Sequence, residues 1–241
     1  RIPFLLAGVL VGVGLYIRLR LTESPAFLAA KARQPATRSP LKEVMRMNRR
    51  ELAFGTGAKL AEGVTFSAYS VLIVAYAVNH GMAKASLTEG ILVALILESL
   101  LLPIYGHLSD RFGRRPVYLF GAIVCLAAAP LLFYAASVNQ VTLVWASLML
   151  ALVFGHGPMY GAQAAFLAEL FPVERRASGL SFVQQVGSLL GSALALLAGW
   201  LLNIGNGAPW YLVAYLLFNV CITIFSVIRL PETAPRVAAA G

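Results

Sequence analysis

Charge is what this sequence has least of. Asp, Glu, Lys and Arg make up only 12% of its 241 residues, against 59% hydrophobic, which leaves too little polar surface to solvate a soluble globule of this size. The deficit identifies a membrane protein. Acid is scarcer than base, and the formal charge is +9; in an apolar chain such a surplus is expected of loops on the cytoplasmic side rather than of a nucleic-acid surface. No DNA- or RNA-binding module is visible, so no nucleic-acid partner is expected.

Cysteine is nearly missing as well. Cys125 and Cys221 fall in different apolar runs, where a disulfide framework has nothing to staple, so both are read as packing residues. The three histidines, at 80, 107 and 156, sit on separate elements. They form no metal-ligand cluster and no nucleophile–base arrangement, which argues against an intramembrane enzyme and implies neither metal nor cofactor. The chain opens on Arg1-Ile2-Pro3-Phe4, with no initiator methionine, no leading basic region and no small-residue cleavage site, and is read as a segment of a longer protein.

What is there is long apolar runs. Seven are found, at Ile2 to Ile17, Leu52 to Val78, Leu87 to Tyr105, Val117 to Ala136, Val141 to Ala165, Leu180 to Leu202 and Trp210 to Ile228. Most reach the ~20 residues a helix needs to cross a hydrocarbon core of ~30 Å. None shows the strict alternation of a barrel strand, and lipid tolerates no open backbone groups, so an all-α membrane protein with seven transmembrane helices is predicted. Taken alternately, the connections 18–51, 106–116, 168–178 and 229 onward carry 16 of the 19 basic residues; the opposite set holds Arg1 and Lys84, and Lys59 lies within a run. That asymmetry places the basic side and the C-terminus in the cytoplasm, and Arg1 outside.

The stretch 18–51 is long, basic and interrupted by Pro25, Pro35 and Pro40; it reads as a linker with a short amphipathic helix near Leu41 to Met47 touching lipid headgroups. Small residues are spaced for close helix contact: Gly8 and Gly12 in the first run, and Gly187, Gly191, Ala195 and Gly199 along one face of the sixth.

Ionisable groups inside a span cost about 2.5 to 3.5 kcal/mol each on insertion scales, so those that persist are candidates for function. Lys59 and Glu62 share one helical face, either as a structural ion pair or as contacts for a proton or an anionic substrate. Glu98 lies roughly 10 Å inside its run at 1.5 Å per residue, either packed in hydrogen-bonded form or acting as a gate or coupling residue. Gly155-His156-Gly157-Pro158 interrupts the fifth run near mid-membrane, followed by Tyr160 and Gln163. A kink is expected there, with His156 satisfying a freed carbonyl or lining a water-filled path. Gln184, Gln185 and Asn219 are weaker polar candidates.

The most concentrated polar stretch is Gly106-His107-Leu108-Ser109-Asp110-Arg111-Phe112-Gly113-Arg114-Arg115-Pro116, predicted to be a turn between two spans. Asp110 is a candidate to cap the following helix or to pair with an arginine. Gly106 and Gly113 permit close backbone approach, and Arg111, Arg114 and Arg115 suit carboxylates or lipid phosphates, with Glu169 and Arg176 as partners.

This stretch resembles the signature loop of the major facilitator superfamily, found between the second and third helices of a six-helix half. Ala168-Glu169-Leu170-Phe171-Pro172-Val173-Glu174-Arg175-Arg176-Ala177-Ser178-Gly179 resembles the family's element after the tenth helix. With Arg1-Ile2-Pro3-Phe4, Ala58-Lys59-Leu60-Ala61-Glu62 and Gly157-Pro158-Met159-Tyr160-Gly161-Ala162-Gln163-Ala164-Ala165, it is similar to the metabolite:proton symporter branch. The chain departs from that branch at Lys59, where arginine is more usual, at Ala162, often proline, and at Ala193 to Leu197, where a proline is common. These departures leave the substrate open.

The resemblance implies a twelve-helix fold of which this chain supplies helices 6 to 12. Residues 1–17 become the sixth helix, 18–51 the cytoplasmic central loop, 52–229 the six-helix C-terminal domain and 230–241 a cytoplasmic tail. It further implies proton-coupled symport of an organic acid or a zwitterionic, betaine- or proline-like metabolite across a bacterial inner membrane by alternating access. The coupling ion would be the proton, and the missing N-terminal half would be a partner in the same protein. Lys59, Glu62, Glu98, His156, Tyr160 and Gln163 are the implied substrate and proton contacts. Gly106, Asp110, Arg111, Gly113, Arg114, Arg115, Glu169 and Arg176 are the implied cytoplasmic gate. The rival class is a non-transporting sensor or receptor on the same fold.

Overall fold

The computed structural model describes residues 2–20 and 40–234 and forms two units, Arg1–Ser39 and Pro40–Gly241. Arg1, most of the expected linker with Pro25 and Pro35, and the end of the expected tail lie outside the described residues. In the first unit the described residues form one helix, α1 (Ile2–Arg20), 19 residues long, with Arg18 and Arg20 in its last turn. Basic side chains there complement the negative end of the helix dipole. Val11, Leu15 and Leu19 are exposed, as are Gly8 and Gly12.

The second unit opens with α2 (Pro40–Met47), whose proline is suited to a first helical turn. The amphipathic segment expected here forms, and it buries Val44 while leaving Leu41, Met45 and Met47 exposed. Six helices long and apolar enough to cross a membrane follow: α3 (Arg49–Asn79), α4 (Lys84–Phe112), α5 (Arg114–Ser137), α6 (Val141–Glu169), α7 (Arg176–Ile204) and α8 (Trp210–Arg229). No strand occurs among the described residues. Helix α3 packs chiefly on α7 and α8, α5 on α6 and α8, and α4 on α6. Their common core is filled by Tyr69, Ile73, Tyr118, Leu132, Phe133, Leu152, Met159 and Phe166, all fully buried. Apolar side chains such as Leu100, Leu196 and Phe218 point outward, the pattern of helices solvated by lipid rather than water.

The predicted turn at 106–116 is not a turn. Helix α4 continues through Gly106 to Phe112, and Gly113 alone, with φ of +109°, joins it to α5. The end of an apolar run marks where a helix leaves hydrocarbon, not where its hydrogen bonds stop, and nothing in Gly106 to Phe112 prevents the ladder from continuing. Only at Gly113 does the backbone enter a region that side chains other than glycine's rarely adopt.

The break expected around Gly155 to Pro158 is a wide-turned π segment, Met149–His156, after which α-helix resumes at Gly157. In an i→i+5 pattern the Val153 carbonyl would be served by the amide of residue 158, which proline lacks. The Tyr105 hydroxyl donates to that carbonyl instead, at 3.0 Å. A second π segment, Ala68–Leu72, lies in α3; the local pattern of apolar residues did not anticipate it.

Of the described members of the small-residue stripe on α7, Gly187 and Gly191 are in close contact and Gly199 is not. A Cβ at Gly187 would strike the Lys59 stem, and one at Gly191 would lie 3.4 Å from the Val64 amide, whereas nothing approaches Gly199 within 4 Å. The side chain of Ala195 lies outside the described residues. The closest approach of a glycine to another helix's backbone is between α5 and α6, where a Cβ at Gly121 would overlap the Gly155 carbonyl oxygen and lie 3.1 Å from the Met159 amide. Rigid backbone cannot yield there, so Gly121→Leu is expected to destabilise the protein by about 1 to 3 kcal/mol or more. Gly199→Ala, at an open interior position, should not destabilise it and is expected to add up to about 1 kcal/mol of helix stability. Thermal unfolding of the detergent-solubilised variants measures both.

Candidate functional site

Four ionisable side chains from three helices meet inside the bundle. Lys59 and Glu62 lie one turn apart on α3, and each is 6% exposed; they form a direct ion pair. His156, at the end of the π segment of α6, and Glu98 of α4 are each 3% exposed, and the imidazole Nδ1 lies 2.5 Å from Glu98 Oε1. The other ring nitrogen, Nε2, is 3.5 Å from Glu62 Oε1, within reach of an ionic attraction but at the limit for a hydrogen bond. Lys59 Nζ also donates to Gln163 Oε1 at 3.4 Å. The imidazole therefore stands between two carboxylates, one of which is already paired with an ammonium.

Burial of charge at membrane depth is tolerated when partners are in place, and two atoms here lack them. Glu98 Oε2 and His156 Nε2 are buried with no hydrogen-bond partner among the described residues. Both residues line an open pocket of about 280 Å³, together with Glu62, Phe66, Ser99 and Tyr160. Tyr160 stacks on the imidazole at a centroid distance of 5.5 Å, and the Phe66 ring lies 5.1 Å from it. Phe66 and Tyr160 are themselves 39% and 48% exposed. Five of the six residues expected at the substrate and proton site, Lys59, Glu62, Glu98, His156 and Gln163, are thus joined in one polar chain, and Tyr160 forms a wall beside it.

Small residues bring these helices together. A Cβ at Gly157 would lie 2.9 Å from the Tyr105 ring and 3.4 Å from Glu98 Cγ, and one at Gly161 would lie 2.8 Å from Tyr105 Cβ. Glycine on α6 therefore lets α4 approach closely enough for Glu98 to reach His156. Gly106 faces the same contact more loosely, at 3.8 Å from the Gly161 carbonyl.

A second polar cluster gathers where α4 ends and α5 begins. The buried Arg114 guanidinium lies 2.5 Å from Asp110 Oδ1, donates to Ser109 Oγ at 2.7 Å, and forks onto Glu169 of α6 at 3.2 and 3.3 Å. Asp110 pairs with the arginine and does not cap α5. The cap is Glu232, which accepts the Arg114 and Arg115 amides at 2.7 and 3.1 Å and the Thr233 and Ala234 amides at 2.9 and 3.0 Å. A carboxylate at a helix N-terminus meets both unpaired amides and the positive end of the dipole. A Cβ at Gly113 would lie 2.7 Å from that carboxylate, so glycine is needed for space as well as for conformation.

Thr233 donates to Glu169 at 2.8 Å, joining the segment after α8 to the same cluster. Arg115 caps the C-terminal end of α8, donating to the Val227 and Ile228 carbonyls at 3.1 and 2.7 Å. Arg111 is exposed and lies over the Phe112 ring. Arg176 stands apart from the cluster, with its Nε on the Phe171 carbonyl at 3.4 Å; the short connection after Glu169 turns it toward its own loop. The sequence reading missed Glu232 and Thr233 because a capping carboxylate carries no signal when its helix starts more than a hundred residues earlier in the chain. It missed Thr223 and Tyr118, which bond the α3 backbone beside Lys59, because buried hydroxyls in an apolar run look like packing.

Among the weaker candidates, Asn219 bonds its own helix at the Tyr215 carbonyl, 2.8 Å away. Gln185 is exposed beside a groove between α2 and α7.

Comparison with known proteins fits this arrangement. The chain is 31% identical to the inner membrane metabolite transport protein YhjE of Escherichia coli (strain K12), over 97% of its own length and 54% of the relative's. It is 30% identical to the proline/betaine transporter of Salmonella typhimurium, over 98% of its length and 49% of that protein's. With the glycine betaine/proline/ectoine/pipecolic acid transporter OusA of Dickeya dadantii the identity is 27%, over 98% and 49%. The chain thus spans about half the length of the curated relatives it matches. No solved structure matches it. The family model that fits, over residues 60–241, is described as Major Facilitator Superfamily. Six membrane-length helices, the signature stretch at the α4–α5 junction and a match over most of the sequence lead to one conclusion: the chain belongs to the Major Facilitator Superfamily.

Proposed function

We propose that this chain forms the C-terminal part of a proton-coupled symporter for a small organic acid or zwitterionic metabolite, working by alternating access in a bacterial inner membrane. The observation that carries this reading is the buried chain Lys59–Glu62–His156–Glu98, open to a pocket of about 280 Å³. An ammonium next to a carboxylate offers a place for a substrate carboxylate. A second carboxylate sharing an imidazole offers a place for a proton or a cationic group. The metabolite and proline/betaine transporters among the relatives support a small metabolite as substrate, a zwitterion included. The exposed aromatic rims of the pocket, Phe66 and Tyr160, would be covered by the N-terminal half, with substrate held between halves near the midplane.

On this reading no cofactor takes part and no bond in the substrate is made or broken, which separates the protein from an enzyme. The basic connections lie in the cytoplasm, so the Arg114 cluster is a cytoplasmic latch. Arg114, Asp110, Glu169 and Glu232 tie the ends of α4, α5 and α6 and the segment after α8 together. Breaking that cluster would accompany opening to the cytoplasm, since several charge-assisted bonds must part at once.

Three experiments in the intact protein test these roles. Glu62→Gln keeps the shape and removes the charge; it is expected to lower proton-driven uptake about tenfold or more, the scale of one lost charge-assisted bond, and to flatten its pH dependence. Unchanged uptake and pH dependence would remove Glu62 from the coupling site. At the latch, Asp110→Asn should slow transport severalfold with membrane insertion intact, and Glu169→Gln should slow it more because Glu169 holds both arms of the Arg114 fork. Equal rates in wild type and both variants would refute the latch. Finally, uptake of radiolabelled dicarboxylates, aromatic acids and betaines into proteoliposomes, with and without a proton uncoupler, should show one class accumulating only without the uncoupler. Binding without accumulation would instead identify a sensor.

A further inference from the structure

The turn of α3 that carries Lys59 does not close on itself alone. In a regular helix the Gly57 carbonyl and the Ala61 amide form one rung of the ladder. Here the Thr223 hydroxyl of α8, fully buried, engages both ends of that rung: it donates to the Gly57 carbonyl at 2.7 Å and accepts from the Ala61 amide at 3.0 Å. The next carbonyl, Ala58, accepts the Tyr118 hydroxyl of α5 at 2.9 Å. Gly57 has no side chain, and the space a Cβ would occupy is taken by the Ser226 hydroxyl. On the opposite side of α3, Gly187 of α7 leaves room for the Lys59 stem.

A side chain inserted into a helical ladder is a recognised cause of local bending. In an apolar run Thr223 could equally have bonded its own helix four residues back, as threonine commonly does. Instead it spends both its donor and its acceptor on α3, two residues before and two residues after Lys59. We infer that Thr223 is a positioning residue for the Lys59–Glu62 pair: by bridging the Gly57–Ala61 rung it sets the pitch of the turn between them and aims the lysine at Gln163 and the glutamate at His156.

This inference rests on the proposed role of Lys59 and Glu62, but its test does not require transport. The charged groups that meet Glu62 among the described residues are Lys59 on its own helix and His156 on α6, itself paired with Glu98 of α4; Tyr118 of α5 bonds the preceding turn. The full-length protein is treated with a hydrophobic carbodiimide, which modifies carboxyls that have left their ion pairs, and the sites are read by mass spectrometry. Thr223→Val, equal in size but without donor or acceptor, is expected to raise modification of Glu62 about fivefold, the scale of one net hydrogen bond. Glu169, whose partner Arg114 forms no hydrogen bond to this turn among the described residues, should keep its wild-type level, and Thr223→Ser should restore the wild-type level at Glu62.

Unchanged labelling of Glu62 in Thr223→Val overturns the inference. So does an equal rise at Glu169, which would mean general loosening, or a failure of serine to rescue. If Thr223→Val fails to accumulate, the comparison of Thr223→Ser with Thr223→Ala decides it in the same way. A rise confined to Glu62, with solute uptake unaffected in Thr223→Val and in Glu62→Gln, would uphold the positioning role and overturn the proposed role of the pair in transport.

Discussion

Charge buried at membrane depth must find its partners within the protein. That constraint governs the rest of this fold. Lys59 and Glu62 pair within one helix, but His156 and Glu98 meet only if α4 and α6 are packed nearly backbone to backbone, and Glu62 meets His156 only if α3 lies across both. In the low dielectric of a bundle an unpaired ion is costly, whereas a paired one restricts geometry. The glycines at 157, 161 and 187 follow from this requirement, because each yields space that a paired side chain or its neighbouring helix occupies. The pocket opens where the pairing is incomplete, at Glu98 Oε2 and His156 Nε2.

The two polar clusters share their helices. Helix α4 carries Glu98 toward its middle and Asp110 near its end, and α6 carries His156 and Glu169 in the same relation. Between the clusters lies the contact of Tyr105 with Gly157 and Gly161, with the Tyr105 hydroxyl on a carbonyl of the π segment. A shift of α4 against α6 would therefore be felt at both ends. The wide turn at Met149–His156 supplies a place where α6 can absorb such a shift without breaking a full row of backbone bonds. The rung bridged by Thr223 has the opposite effect on α3, holding the turn that carries Lys59 between two fixed bonds.

Much of this was legible in the chain. Apolar runs of span length located every membrane helix of the second unit, and the cost of charge in lipid singled out Lys59, Glu62, Glu98 and His156 without knowledge of their partners. The signature stretch was recognisable as a cluster, with Arg114 and Glu169 among its members. Less was legible about how the members are used. Asp110 looked equally suited to cap α5, but Glu232 holds that position from the far end of the chain. Arg176 looked like a partner, but the turn at Leu170 to Arg175 sends it elsewhere. Gly106 to Phe112 looked like a loop because its polarity marks the edge of the membrane, and polarity does not end a helix.

The order of residues along the chain was enough to set the helices that cross the membrane, the excess of basic residues on one set of connections, and the few charges that have to be accommodated between them. These are local properties: transfer free energy depends on the side chains of one segment, and a run of about 20 apolar residues suffices to express it. The tertiary structure alone decided who pairs with whom. Only there does Glu98 choose His156, Glu232 choose the start of α5, and Thr223 choose the backbone of α3. Each of these bonds joins segments far apart in sequence, and its formation depends on approach distances between helices, which the pattern of one segment cannot express.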